Sequence, residues 1–170
     1  MNGVGWIGSA KKLSKWGGRT MKDELLSFSL SVRNELAGDY TWRLKDSEIR
    51  YRGTQRYAEL VGQRIPASVE QISNFGDALN LLDVWTWRDD YDIQDTGWMA
   101  MDGSHWSFEV AKGDRTYKCG GFNGYPSFAD ASQTTTEEGR FALLVAAMYS
   151  CFKLEYYVQG RGEEGGSDEV

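Results

Sequence analysis

Residues 26–32 read LSFSLSV. Leu26, Phe28, Leu30 and Val32 alternate with Ser27, Ser29 and Ser31. Successive side chains of a strand point to opposite faces, so a period of two dictates one apolar face and one wet face. The same alternation returns after Gly38. In YTWRL, Tyr40, Trp42 and Leu44 share one side, while Thr41, Arg43 and Lys45 share the other. In EIRYRG, Ile49 and Tyr51 oppose Arg50 and Arg52. Two such runs joined by Lys45-Asp46-Ser47 predict an antiparallel hairpin with one face in water. A further strand is expected over 57–65, YAELVGQRI.

Pro66 breaks that register, and the period then changes to three and four. Val69, Ile72, Phe75, Leu79 and Leu82 form a helical stripe, opened by a capping box of Ser68 and Gln71. Gly76 inside it implies close packing. Beyond an aromatic and acidic connection, Asp102-Gly103 reads as a hairpin turn between GWMAM and SHWSFEV. Lys112-Gly113-Asp114 turns again into RTYKC. Thr135 and Glu138 read as a second capping box, ahead of a stripe of Phe141, Leu144, Met148 and Phe152. The expected fold is α+β: an antiparallel sheet built as meander-helix, meander-helix, with two helices packed on one face.

A chain of 170 residues is about one domain, and its 14% aromatic content supplies a core without staples. Three zones differ in composition. Residues 1–22 form a basic, Gly-rich arm, read as loosely ordered or as an extension upstream of a start at Met21. Residues 23–159 form a single α+β domain, and 160–170 an acidic, flexible tail. The net charge of −6 opposes nucleic acid and anionic membranes on average. Cys119 and Cys151 form no CxxC pair and read as free thiols of a reducing compartment. No secretory h-region is visible, and the apolar run 141–152 is too short to span a bilayer. The expected location is cytoplasmic.

Four constellations could carry function. KCGGFNGYPSF, 118–128, lacks both the P-loop spacing and a dinucleotide turn opening a helix, so no cofactor is implied. It reads as a turn, with Tyr125 and Phe128 plugging the core edge. Asp89, Asp90, Asp92 and Asp95 could hold a divalent ion, although the EF-hand spacing is not met; solvated charges are the plainer reading. Arg43, Lys45, Arg50, Arg52 and Arg56 form a basic ladder able to face phosphate or an acidic protein surface. His105, the one histidine, could meet Cys119 across neighbouring strands or simply be exposed.

DGSHWSFEV, a following strand and GGFNGYP resemble a pattern in uncharacterised bacterial α+β domains: an Asp-Gly hairpin, an inward Trp and a Gly-x-Asn-x-Tyr-Pro exit. The resemblance covers 102–126 and brings no activity with it.

The leading expectation is a non-enzymatic protein-binding domain, such as an immunity or inhibitor protein in a toxin or defence setting. Trp85, Trp87 and Tyr91 are its contact candidates, because aromatics with charged rims make strong contacts. The alternatives are a metal-dependent hydrolase using the Asp cluster and a nucleic-acid accessory protein using the basic ladder.

Overall fold

The computed structural model describes residues 26–159 apart from 35, 37, 55, 56, 101, 129–132 and 136–138. The arm over 1–22, the tail over 160–170, Arg56 and Glu138 lie outside the described residues.

The first three strands are β1 (Leu26–Asn34), β2 (Tyr40–Lys45) and β3 (Glu48–Gly53). Asp46 and Ser47 join β2 to β3, both at left-handed φ, 53° and 58°. Left-handed turn residues match the twist of a two-residue hairpin. The strand expected over 57–65 is corrected. Tyr57 has a φ of 51°, and Ala58–Leu60 form a 3-10 turn. Val61 makes a single parallel bridge to Tyr51, and the two-residue strand β4 (Ile65–Pro66) pairs with Ile49 and Glu48. A proline is tolerated there because β4 is an edge.

Helix α1 (Val69–Leu81) starts as its sequence demands. The Gln71 N–H donates to Ser68 Oγ at 3.1 Å, and the Ser68 N–H donates to Gln71 Oε1 at 2.8 Å. Phe75, Gly76 and Leu79 are buried. A Cβ at Gly76 would stand 2.9 Å from Lys112 Nζ, so the glycine seats that side chain.

The second half departs further from expectation. The acidic connection holds a strand of its own, β5 (Asp90–Asp92). Residues 98–100 carry no strand, so Asp102-Gly103 is not a hairpin. Instead Asn123 clamps the site, its Oδ1 accepting from Ser104 N and its Nδ2 donating to the Asp102 carbonyl. From there β6 (Ser104–Lys112) turns through Gly113 into β7 (Arg115–Phe122). Next come β8 (Tyr125–Pro126) and β9 (Gln133–Thr134), which pair with each other. Helix α2 (Arg140–Phe152) starts from Gly139 with no side-chain cap, so Thr135 does not open it. The short α3 (Leu154–Val158) follows.

The class is α+β. Among the described residues one sheet has the order β4-β3-β2-β1-β6-β7-β5. Its pairings are antiparallel except one: β5 runs parallel to β7. A fully antiparallel sheet is thereby corrected. The chain inserts β5 at the far edge before β6 and β7 are made, so β5 meets β7 by a crossover rather than a turn.

Alternation sorts the sheet into two faces. Leu30, Trp42, Leu44, Ile49 and Phe108 point inward, each no more than 1% exposed. Phe28 of β1 meets Phe75 of α1 at 5.0 Å and Phe152 of α2 at 5.9 Å, and those two rings meet each other at 5.3 Å. This trio ties the sheet to both long helices. Truncating its helical member, Phe75→Ala, is expected to cost about 3–5 kcal/mol by removal of a buried ring. Urea unfolding reads it, and a loss below about 1 kcal/mol would show that the ring is not packed.

Candidate functional site

The outward face of the sheet is polar and small at its centre. Ser29 of β1 lies between Arg43 of β2 and Glu109 of β6. Ser31 lies between Thr41 and Ser107, and its Oγ is 2.9 Å from Thr41 Oγ1. A depression of ≈ 470 Å³ opens over Ser27 and Ser29, walled by Arg43 and Lys45 on one side and by Glu109, Thr116 and Lys118 on the other.

The basic ladder lies where alternation places it. Arg43, Lys45, Arg50 and Arg52 are exposed, and Arg43 is paired directly with Arg50 across β2 and β3. Like charges directly opposite in a sheet cost stability. Glu48 takes Arg50 at 2.8 Å and lies 3.8 Å from Arg64. Among the described residues Arg43, Lys45 and Arg52 make no ion pair.

The middle of the face is neutralised by an ion pair, Lys118 to Glu109 at 2.6 Å. The far end is acidic. Asp90 stands opposite Gly120 and Asp92 opposite Phe122, on the parallel β5 edge. Both aspartates help line a second depression of ≈ 720 Å³, with His105 and Ser107. The His105 ring stacks on Phe122 at 4.5 Å and 26°. Its neighbour in the expected dyad is on the other side of the sheet: Cys119 is buried with Phe108, which it faces across the strands. Burial, with Asp89 nearby, pushes the Cys119 thiol up to about 12, so it is inert near neutrality.

Two of the four aspartates have local partners of their own. Asp95 Oδ2 accepts from Arg88 at 2.6 Å, and Asp92 Oδ1 accepts from the Gln94 N–H at 2.9 Å, capping a 3-10 turn. Among the described residues no three His, Cys, Asp or Glu side chains are grouped to hold a metal ion.

Two of the three aromatic contact candidates are core. Trp87 is 4% exposed and Tyr91 2%. The Trp87 indole donates to the Leu82 carbonyl at 3.0 Å, and the Tyr91 hydroxyl accepts from the Arg88 N–H at 2.9 Å. Desolvation raises the Tyr91 pKa. Neither ring presents surface to a partner. Trp85 is half-buried, bonded to Asn80 Oδ1 and covered by the Arg115 guanidinium at 4.2 Å.

The glycine loop is what holds the acidic edge in place. The Trp106 indole donates to the Gly124 carbonyl at 2.7 Å. A Cβ at Gly121 would stand 2.4 Å from the Tyr91 carbonyl oxygen and 2.6 Å from that of Gly124. Only a bare backbone lets β5, β7 and the turn meet so closely. Tyr125 plugs the core as expected, whereas Phe128 is 68% exposed and does not.

Alternation placed the ladder but not the row that runs from it to the acidic edge. Asp90 as a sheet residue, and the small row formed by Ser31, Ser107 and Gly120, follow from pairing register, which alternation alone does not supply. No family model matches the chain, and no curated protein matches it at a significant level.

Gly121→Ala is expected to destabilise by about 1–3 kcal/mol, the usual cost of overpacking. Thermal and urea unfolding read this, and an unchanged midpoint would mean the strand–turn contact is looser than described.

Proposed function

We propose that this chain is a non-enzymatic, cytoplasmic protein-binding domain of the immunity or inhibitor type, and that its contact surface is the outward face of the sheet. The observation that carries the reading is the like-charge pair Arg43–Arg50 on an exposed face, flanked by Lys45 and Arg52. Such an arrangement costs stability in the free protein; Glu48 offsets Arg50, and Arg43, Lys45 and Arg52 gain when a carboxylate-bearing surface covers them. The hydroxyl floor of Ser27 and Ser29 supplies donors and acceptors beneath that surface. We also infer that α1 and α2 together close the apolar face, on the strength of the Phe28–Phe75–Phe152 contacts, which leaves the polar face to meet a partner.

An acidic protein segment suits the face better than a nucleic acid does. The cations sit on β2 and β3, and the aspartates of β5 lie on the same face. Four strand spacings put β5 about 19 Å from β2. A long polyanion laid over the ladder therefore runs onto carboxylates, while a short acidic segment does not. Among the described residues no helix is long and apolar enough to cross a membrane.

The test is site-specific photo-crosslinking in the native cell. A photoreactive residue at position 43 or 52 is expected to give one shared protein adduct. The same probe at exposed Glu70, on α1, should not give it. Arg50→Glu should remove the adduct while thermal melting shows the protein still folded. Equal adducts from the helix position, or adducts that nuclease treatment abolishes, would overturn the reading.

A further inference from the structure

One cross-strand row of the outward face ends in opposite charges. Arg52 of β3 pairs with Thr41, Thr41 with Ser31, Ser31 with Ser107, Ser107 with Gly120, and Gly120 with Asp90 of β5. Four small residues separate an exposed cation from an exposed carboxylate. The two ends are five strand spacings apart, about 24 Å. That is too far for them to meet within one molecule. Neither makes an ion pair among the described residues.

We propose that this face binds a second copy of the chain, forming a twofold-symmetric, face-to-face homodimer. The inference rests on the reading of the outward face as a contact surface and names one occupant of it.

The geometry follows from symmetry. A twofold axis lying between two facing sheets can run along the strands or across them. An axis across the strands sets basic edge on basic edge. An axis along the strands, midway between β1 and β6, exchanges β3 with β5, β2 with β7 and β1 with β6. It also keeps each residue at its own level along the strand. Arg52 of one copy then faces Asp90 of the other, and the reverse contact is made at the opposite edge. Between them Thr41 faces Gly120, and Ser31 faces Ser107. Small side chains in the middle let the two sheets approach so that the long charged ones can bridge at the rims.

One level along, the same axis sets Arg43 over the Lys118–Glu109 ion pair of the partner. The carboxylate attracts it and the ammonium opposes it, so that row adds little. The Arg52–Asp90 contacts and the hydroxyl centre carry the association. The buried surface is modest. Five strand spacings by about six residues of strand give roughly 500 Å² per copy, or about 1,000 Å² in total. An interface of that size and polarity is weak and salt-sensitive.

Sedimentation velocity on the full chain tests this. At tens of micromolar and low salt the wild type is expected to show a concentration-dependent dimer that dissociates as salt rises. Arg52→Asp alone sets Asp against Asp90, and Asp90→Arg alone sets Arg against Arg52. Each variant is expected to be monomeric, with association weakened at least about tenfold. Mixed in equal amounts, the two variants restore both contacts at once and are expected to form a heterodimer. Both positions are exposed, so melting temperatures should stay at the wild-type value, which separates lost association from lost folding.

A wild type that stays monomeric at every concentration overturns the proposal. So does a dimer indifferent to both substitutions, or a mixture that remains monomeric. If self-association fails while the position-43 crosslink to another protein persists, the contact-surface reading survives without its second copy. If both fail, both fall.

Discussion

The pairing of β1 with β6 is the constraint on which the rest depends. It runs unbroken from Leu26 opposite Lys112 to Asn34 opposite Ser104, nine residues in register. It joins the N-terminal meander to the C-terminal hairpin across a long stretch of chain. Because side chains alternate with a period of two, a slip of one residue would turn Phe28, Leu30 and Val32 outward and bury the serines. The register is therefore enforced by the core. Phe28 can reach Phe75 and Phe152 only if it points inward, and Ser29 and Ser31 then have no choice but to face out.

Everything outward inherits its position from that register. The levels set by β1 carry across β2 to Arg52 and across β6 and β7 to Asp90. The glycine loop matters at the last step. Gly121 and Gly124 admit the Tyr91 carbonyl at a distance no Cβ would allow, so β5 can dock in parallel at the edge. Tyr91 anchors that strand inside, its ring 5.9 Å from Trp106. The residues on either side, Asp90 and Asp92, are then presented on the polar face. A stretch that could be mistaken for a ligand cradle is the fastening of an acidic edge.

Local physics was legible in the sequence wherever it governed. The alternation of 26–32 and 40–45 became β1 and β2, and the Ser68–Gln71 box became two reciprocal hydrogen bonds. Gly113 marked the turn between β6 and β7. What was not legible depended on distant partners. Asp90-Tyr91-Asp92 is too short to show a period, and it is a strand only because β7 offers an edge. The stretch 57–65 makes a 3-10 turn and a single bridge of Val61 to Tyr51 instead of a strand, beginning at a left-handed Tyr57 that nothing in YAELVGQRI signals. Trp87 and Tyr91 look like surface anchors beside four aspartates, yet each has a backbone partner for its polar atom and an apolar bed for its ring. The arginines were legible as a ladder, because alternation alone sends them outward. That three cations of the ladder lack ion-pair partners among the described residues required the register of β2 against β3.

The sheet buries one set of its alternating side chains and leaves the other set open. Thiol labelling of two single-cysteine additions, Ser29→Cys and Leu30→Cys, in a Cys151→Ser background measures this directly, with buried Cys119 as the internal reference. The protein is kept dilute and at high salt so that weak association does not shield the face. A cysteine at 29 should react near the rate of a free thiol, and one at 30 as slowly as Cys119, limited by unfolding. If both positions are protected alike, the polar face is covered within the chain itself and is not open to a partner.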